Sequence, residues 1–329
     1  EAVKQGGTRR GANMGVLRID HPDILSFIKC KADGDFANFN ISVALTEEFM
    51  EAVRQGSSYN LYNPRTKVVA GELDAREVYD LIVEMAWATG DPGIIFIDRI
   101  NRDNPTPQLG EIESTNPCGE QPLLPYEACN LGSINLARMV RHTDTGADVD
   151  WDRLADVVHR GIRFLDDVIE VNQYPLPEIG ELARGNRKVG LGVMGLQDVF
   201  FRLKLAFDDP EARRLSRRIQ EEIYYAALDA SCALARERGP HPAFPETRAA
   251  QGVLQFDLWG VTPEEPARWE ELRARIRSHG LRNSLLVAIA PTATLGSIAG
   301  VGECIEPQAS NLFKRETLSG DFLQVNRYL

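Results

Sequence analysis

The sequence predicts an α/β fold for this chain of 329 residues. Amphipathic helical segments alternate along it with short apolar runs that are typical of buried strands. Hydrophobic residues make up 43% of the chain and charged residues 26%, as in a globular protein with a large core. No internal repeat or low-complexity linker interrupts this pattern, so we predict one domain over residues 1–329.

The helices are predicted from the spacing of apolar residues and from signals at their ends. From Trp151 to Ile169, apolar residues recur every three or four positions, which is a strong helix signal. The predicted helices begin at Asp74, Trp151, Asp209 and Thr262, and glycines at 90 and 280 end the first and the last of them. Two apolar runs, 93–97 and 285–290, are predicted as buried strands.

Composition restricts the function. Lys and Arg number 37 against 48 Asp and Glu, and the net charge of −11 argues against binding to nucleic acid or to an anionic membrane. Five cysteines are too few and too scattered for a secreted disulfide framework, which favours a cytoplasmic protein. No apolar run approaches the roughly 18–20 residues of a membrane span. The chain has no initiator Met, so we expect it to be the middle of a longer polypeptide.

The stretch 101–128 is the main candidate for a functional segment, because five of the 18 prolines fall within it and no periodicity runs through it. It contains Asn116-Pro117-Cys118-Gly119-Glu120. If this segment is extended, alternate side chains project to one face, so an amide, a thiol and a carboxylate would line up there. A loop with one buried cysteine and two polar neighbours explains the spacing equally well.

Cys129 follows eleven residues later, a separation that fits no zinc site. A redox or nucleophilic role is the better functional interpretation for this thiol. The remaining cysteines, Cys30, Cys232 and Cys304, are predicted to be packing residues.

Two further segments could bind anions. Pro291-Thr292-Ala293-Thr294-Leu295 follows an apolar run, and hydroxyls with free N–H groups at such a turn bind phosphate without the lysine of a hydrolytic P-loop. An ordinary capped turn is the alternative. The basic loop 6–13 could close over a nucleotide or could be a solvated turn.

Two other functions find little support in the sequence. Gly190, Gly192 and Gly195 match the dinucleotide glycine pattern, but no strand precedes them and no acidic residue follows about 20 positions later, so we reject an NAD site. None of the five histidines lies in a catalytic-looking cluster, which argues against a Ser/His/Asp hydrolase.

Asn116–Glu120 together with Ala128–Leu136 resembles the active-site segment of the ribonucleotide reductase large subunit, most closely that of the adenosylcobalamin-dependent class II enzymes. The resemblance runs nearly from end to end. The other matching segments are 7–15, 20–24, 188–195, 290–294 and 305–307. Ala293 and Leu295 stand where some family members carry polar residues, so backbone contacts are the safer assignment there.

The resemblance implies a ten-stranded α/β barrel, of which this chain is the central part, with a finger loop that carries Cys118 to its middle. It implies that Cys118 becomes a thiyl radical and takes the hydrogen from ribose C3′. Glu120 would accept the proton of the 3′-hydroxyl, and Asn116 would hold the hydroxyls. Cys129 would be one of two cysteines that reduce the radical intermediate and end as a disulfide.

The resemblance also implies two sets of binding residues and several partners. The substrate-binding set is Asn116, Pro117, Cys118, Gly119, Glu120, Pro291, Thr292, Ala293, Thr294 and Leu295. The specificity loop, which relays effector identity to base choice, is Gly7, Thr8, Arg9, Arg10, Gly11, Ala12 and Asn13. The implied partners are a ribonucleotide substrate, dNTP or ATP effectors, adenosylcobalamin, a thioredoxin- or glutaredoxin-type reductant and, for the full-length protein, a second copy of itself.

Some family parts are expected outside the chain. The disulfide partner of Cys129 and the first effector loop should precede Glu1, and the remaining strands and the C-terminal cysteines should follow Leu329. Residues 1–329 alone are therefore expected to be inactive and to associate through exposed strand edges. The rival interpretations are a class I large subunit, which takes its radical from a separate metal-bearing subunit, and a regulatory nucleotide-binding protein without chemistry. The presence of Asn116, Cys118, Glu120 and Cys129 argues against the regulatory protein.

Overall fold

The computed structural model describes residues 12–144, 146–317 and 320–328, and these residues divide into two compact units. The first unit comprises the residues up to 104 together with 110–125, and the second comprises 105–109 with the residues from 126 onwards. Each unit has its own hydrophobic core and contains both helices and strands. The predicted α/β class is confirmed.

The first unit is built on a parallel sheet with the strand order β1-β2-β5 and on two antiparallel hairpins, β3-β4 and β6-β7. Its strands are β1 (Asn13–Arg18), β2 (Phe39–Leu45), β3 (Ser58–Tyr62), β4 (Val69–Asp74), β5 (Gly93–Phe96), β6 (Ser114–Thr115) and β7 (Pro122–Leu123). Its helices are α1 (Ile24–Lys29), α2 (Glu47–Gln55), α3 (Ala75–Thr89) and α4 (Ile97–Arg102). Phe49, Ile24 and Val43 are fully buried in its core.

Helix α3 confirms the first predicted helix. The Asp74 carboxylate accepts a hydrogen bond from the Glu77 N–H at 3.0 Å, and Gly90 ends the helix with φ +85°. The predicted strand 93–97 is present as β5, but the prediction that it is buried is wrong. Its Ile94 side chain is 46% exposed because β5 is an edge strand of its sheet.

In the second unit, α5 packs on a parallel pair of strands, β8 and β11. Its strands are β8 (Asn130–Asn135), β9 (Val140–Thr143), β10 (Gly146–Val149), β11 (Val189–Met194), β12 (Leu312–Thr317) and β13 (Gly320–Val325). Its helices are α5 (Trp151–Val171), α6 (Pro177–Asn186), α7 (Leu196–Leu203), α8 (Pro210–Arg238), α9 (Gln255–Leu258), α10 (Pro266–His279) and α11 (Ala293–Ala299). The apolar stripe predicted from Trp151 is the buried face of α5.

The structure corrects two predictions in the second unit. Helix α10 begins at Pro266, four residues later than the predicted start at Thr262. The run 285–290 is no regular strand, although it lies against β11. The N–H groups of Val189 and Leu191, two residues apart, donate to the adjacent carbonyls of Leu285 and Leu286 at 3.0 and 2.8 Å. The pairing therefore shifts by one residue, and one isolated bridge, Leu191 with Val287, is assigned there.

No helix among the described residues combines the length and the apolar character that a membrane crossing requires.

Candidate active site

Asn116–Glu120 lies at the tip of the β6-β7 hairpin in the first unit. Beyond the last strand pair, Thr115 with Pro122, the N–H of Asn116 donates to the Gln121 carbonyl at 3.1 Å. Within the tip, the N–H of Gly119 donates to the Asn116 carbonyl at 3.0 Å, which closes a β-turn with Pro117 at its second position. Gly119 has φ +87°, a conformation that favours glycine.

Of the two arrangements considered for this segment, the extended one is therefore not formed. Proline restricts φ at 117 and glycine permits the left-handed conformation at 119, so the chain reverses where an extended strand would continue. Asn116, Cys118 and Glu120 are still brought together, but by a shared turn and not by the alternation of a strand.

Two hydrogen bonds of asparagine side chains, one within the hairpin and one from β2, fix its tip. The Asn116 side-chain oxygen Oδ1 accepts from the Gln121 N–H at 3.0 Å. The Pro117 carbonyl accepts from Nδ2 of Asn40, at the start of β2, at 2.5 Å. Since Oδ1 of Asn116 is already used, its Nδ2 amide is the group that remains to donate to a ligand.

The side chains at the tip differ in exposure and in hydrogen bonding. Cys118 is exposed, and Glu120 is half-buried. Oε2 of Glu120 is buried and has no hydrogen-bond partner among the described residues, and the same holds for both side-chain polar atoms of Gln121, which is 1% exposed. A buried carboxylate oxygen without a donor is well suited to accept a proton or a hydrogen bond from a ligand.

Cys129 lies in the second unit, one residue before β8, and is half-buried. Two residues earlier, Oε2 of the buried Glu127 lies 2.5 Å from Nζ of the buried Lys188, and Asn186 donates its side-chain amide to Oε1 of the same carboxylate. Sequence reasoning missed this pair, since 61 residues separate its members. A lysine at the start of an apolar, glycine-rich run was the available signal, because a buried cation needs an acidic partner.

The predicted phosphate turn, 291–295, also belongs to the second unit and leads into α11. Thr292 has φ +54° and gives no side-chain cap to the helix. Its hydroxyl oxygen instead accepts from the Cys304 N–H at 2.8 Å. The alternative of an ordinary capped turn is therefore wrong. Residues 293–295 are exposed, with the N–H groups of a helix start, which have no intrahelical acceptor.

Gly192 allows the segment that leads to this turn to lie close against the backbone of β11. A Cβ atom added at Gly192 would lie 2.3 Å from the carbonyl oxygen of Ala288. Only a residue without a side chain fits there. The glycines at 190 and 192 thus lie inside a paired strand, which agrees with the rejection of an NAD site.

A cavity of about 560 Å³ in the second unit borders α11. Three of the charged groups in its wall have partners within the protein: Arg315 pairs with Glu303 at 2.5 Å, and the Asp198 carboxylate accepts from the Gly302 N–H at 2.7 Å and from the Tyr328 hydroxyl at 3.1 Å. Among the described residues, no group of three or more His, Cys, Asp or Glu side chains could hold a metal ion.

The remaining predicted site residues belong to the specificity loop. Gly7, Thr8, Arg9, Arg10 and Gly11 lie outside the described residues. Ala12 is exposed, and Asn13 begins β1 with its N–H donating to the Asn38 carbonyl at 2.9 Å. The hairpin, Ala12 and Asn13 belong to the first unit, and Cys129 and the phosphate turn belong to the second.

Comparison with known proteins gives a match along the whole chain. The family model described as "Ribonucleotide reductase, barrel domain" matches residues 1–329. The chain is 45% identical over 326 residues to a protein of Mycobacterium tuberculosis (strain CDC 1551 / Oshkosh) named vitamin B12-dependent ribonucleoside-diphosphate reductase, a match that covers 98% of this chain and 43% of that protein. It is 43% identical over 329 residues to a protein of the same name from Thermoplasma acidophilum, covering 99% of the chain and 39% of that protein.

A more distant relative carries a different name. The ribonucleoside-diphosphate reductase large chain of Schizosaccharomyces pombe is 35% identical over 361 residues, covering 99% of this chain and 44% of that protein. The chain thus spans less than half the length of these curated relatives.

Proposed function

Because the chain belongs to the ribonucleotide reductase family, we propose that it supplies the active-site segment of an enzyme that reduces ribonucleotides to 2′-deoxyribonucleotides, the precursors of DNA. The names of the B12-dependent relatives support a class II enzyme that acts on ribonucleoside diphosphates. By the full-length protein we mean this chain with any flanking sequence that its gene encodes.

The observation that carries the proposal is the hairpin tip. It presents an exposed thiol, Cys118, between an amide donor and a carboxylate oxygen that has no partner among the described residues. A hydrogen-atom abstraction needs no histidine base to form a thiolate, so it agrees with a site that contains no catalytic histidine.

In the proposed reaction, a thiyl radical at Cys118 takes the hydrogen atom from ribose C3′. Glu120 accepts the proton of the 3′-hydroxyl through its Oε2 atom, and Asn116 donates from Nδ2 to the sugar hydroxyls. The 2′-hydroxyl leaves as water. Two thiols, that of Cys129 and a second cysteine, supply two electrons and two protons and form a disulfide. Cys118 then returns its hydrogen atom to C3′, which regenerates the thiyl radical, and Glu120 returns the proton to the 3′-oxygen.

We propose that the substrate phosphates bind at 291–295. The supporting features are the exposed residues 293–295 at the start of α11, whose N–H groups have no intrahelical acceptor, and the absence of a side-chain cap from Thr292. The specificity loop, residues 7–13, would respond to bound dNTP or ATP effectors. A thioredoxin- or glutaredoxin-type dithiol would reduce the disulfide, and the full-length protein would act in the cytoplasm as a homodimer.

Adenosylcobalamin is proposed as the radical source from the names of the relatives. The described residues do not identify a site for a corrin ring. Around the cavity beside α11, the side chains of Arg315, Glu303 and Asp198 are bound to protein groups, and no described residue in its wall marks a cobalt ligand or a corrin site. We therefore derive no step through this cofactor.

A class I large subunit is the less favoured candidate. The chain is 35% identical to the fission yeast large chain but 43–45% identical to the B12-dependent relatives. An assay of the full-length protein with adenosylcobalamin and no second subunit separates the two classes, because a class I enzyme would be inactive under these conditions.

The substitution Cys118→Ser tests the proposed radical site. A serine hydroxyl does not form an oxygen radical under conditions that oxidise a thiol, so we expect deoxynucleotide formation by the full-length protein to fall below detection. Nucleotide binding, measured by equilibrium dialysis, should persist, since the turn and the Asn116 hydrogen bonds are unchanged. Retained nucleotide reduction would exclude Cys118 as the radical site.

The substitution Cys129→Ser tests the proposed reducing thiol. We expect it to abolish multiple turnover with a dithiol reductant, because one of the two reducing equivalents is missing. Cys232→Ser is the matched control, since this buried cysteine is assigned to packing. Normal multiple turnover in Cys129→Ser would show that its thiol has only a structural role.

A further inference from the structure

The start of the β8-β11 pair places a lysine beside Cys129. The two strands are parallel, and their first paired residues are Asn130 and Val189. One residue earlier on each strand stand Cys129 and Lys188. In a parallel pair, residues at the same level project to the same face, and the two backbones run about 5 Å apart.

Contacts with α5 show which face this is. Asn130 donates its side-chain amide to the Leu165 carbonyl of α5 at 3.3 Å, and a Cβ at Gly132 would touch the Leu165 side chain. The residues at 130 and 132 therefore face α5. Because side chains alternate along a strand, Cys129 and Lys188 project to the opposite face.

The ion pair of Lys188 agrees with this placement. Glu127, two residues before Cys129, holds Nζ of Lys188 at 2.5 Å, and Asn186, two residues before Lys188, holds the same carboxylate. Lys188 and Asn186 are therefore joined through the Glu127 carboxylate, two residues before Cys129. The pair is buried, with side-chain exposures of 2% and 0%, so solvent screens its charges little.

The other charged groups at this end of the strands belong to a separate cluster. Asp166 and Glu170 of α5 pair with Arg187 at 2.8 and 2.6 Å. Arg282 and Arg238 approach the same carboxylates. Since Asp166 and Glu170 belong to α5, this cluster lies on the α5 side.

We propose that Lys188 and Glu127 are positioning residues for Cys129: their ion pair fixes the start of β8, and the ammonium group stabilises the Cys129 thiolate during reduction of the disulfide. This inference rests on the proposed function only for the disulfide step.

In the disulfide step, a thiolate of the dithiol reductant attacks the sulfur of the second cysteine, the S–S bond breaks, and its electron pair leaves on Cys129 Sγ. The thiolate then takes a proton from solvent, and a second exchange leaves the reductant as a disulfide. A nearby cation makes Cys129 the better leaving group.

The test measures the rate at which iodoacetamide alkylates Cys129 between pH 6 and pH 10 in the reduced full-length protein, quantified by mass spectrometry of the Cys129 peptide. The substitution Lys188→Met should raise the pH midpoint by about one unit, because it removes a buried positive charge that favours the thiolate over the thiol. Lys188→Arg should restore the wild-type midpoint, and Glu127→Gln should lower it. Cys30, in the first unit, is the internal control and should not change.

An unchanged Cys129 midpoint in a folded Lys188→Met protein would overturn the inference. If Lys188→Met does not fold, the Glu127→Gln variant is the deciding test. A Cys129 midpoint in that variant equal to or above the wild-type value would overturn the inference. The alkylation result does not depend on turnover. A shifted midpoint in a protein that reduces no nucleotide would therefore disprove the proposed function and leave the inference standing.

Turnover gives a second readout. In Lys188→Met, multiple turnover with a dithiol should slow about tenfold, while a single turnover of the pre-reduced enzyme should keep its rate. Equal slowing of both would indicate a general structural defect and would also count against the inference.

Discussion

The hairpin tip and the start of the β8-β11 pair both bury polar side chains, but they satisfy them differently. At the tip, the buried atoms of Glu120 and Gln121 have no hydrogen-bond partner among the described residues. At the start of β8 and β11, carboxylates on both faces are held by several donors, from Lys188 and Asn186 on one and from Arg187 and Asn283 on the other. Buried polar atoms without partners, as at the tip, are typical of a region that binds a ligand or another segment. Buried polar groups with several partners, as at the start of β8 and β11, are typical of a region that fixes strand positions.

The largest expected effect on stability concerns the start of the β8-β11 pair, where the buried polar side chains have hydrogen-bond partners. Asp166 is fully buried and accepts from Arg187 at 2.8 Å and from Asn283 at 3.0 Å. Asp166→Ala should lower the free energy of unfolding by about 3–5 kcal/mol in urea denaturation, because it leaves a buried arginine without its main partner. Asp156→Ala, which removes an exposed pair with Arg160 on the same helix, should change it by less than about 0.5 kcal/mol. Similar values for the two variants would contradict the comparison.

The next largest effect concerns His241, a buried polar side chain of the second unit that is not fully hydrogen-bonded. His241 is 1% exposed, and its Nδ1 has no hydrogen-bond partner among the described residues. Burial, with the nearby charges of Arg282 and Arg187, lowers the pKa of His241 to about 4. The unfolded chain therefore binds a proton at a higher pH than the folded protein does, and this contribution to stability is lost as pH falls from 6.5 towards 4.

From pH 7 to pH 5, this histidine should cost about 2 kcal/mol of the free energy of unfolding. The substitution His241→Leu should remove that part of the pH dependence, as measured by urea denaturation at both pH values. His279→Leu, at the exposed end of α10, is the control. An unaltered pH dependence in His241→Leu would show that the buried imidazole does not titrate as described.

How far the sequence predicted these regions depended on the range of the interactions. Helix α5 was predicted correctly because its signal is local: the apolar spacing lies within the one helix. At the tip, the sequence left an extended segment and a loop equally open, and the structure forms a turn with Pro117 and Gly119 at positions that favour it. The prediction of a regular strand at 285–290 was wrong because the pairing of this run with β11 shifts by one residue, and no local sequence pattern encodes such a shift.

In the candidate site, too, short-range groupings were predicted and long-range contacts were not. Asn116, Cys118 and Glu120 were found because they lie within five residues, and the tip brings them together. The pair of Lys188 with Glu127 was not found, because the sequence gives no sign of which acidic residue will meet a buried lysine 61 positions away. Gln121 was also missed, and nothing in its local sequence distinguishes it from a surface glutamine.

The smallest expected effect tests the backbone of the tip. Gly119→Ala should lower the free energy of unfolding by about 1 kcal/mol, since alanine disfavours a φ of +87°, although a Cβ there would have open space around it. Gly185→Ala, inside helix α6 and equally open, should raise it by about 0.5–1 kcal/mol. Both values come from thermal or urea denaturation, and a stabilising Gly119→Ala would mean that the turn is not formed in solution.

Gly192 shows how a residue can matter to a reaction without taking part in it. The chain that leads into 291–295 lies so close to β11 that a single added carbon at 192 would collide with the Ala288 carbonyl. In a saturation mutagenesis screen scored by growth, every substitution at this position should behave like the loss of a substrate contact. An alignment would show the same intolerance as strong conservation. The requirement is one of distance between two backbones, so position 192 should not be counted among the substrate-binding residues.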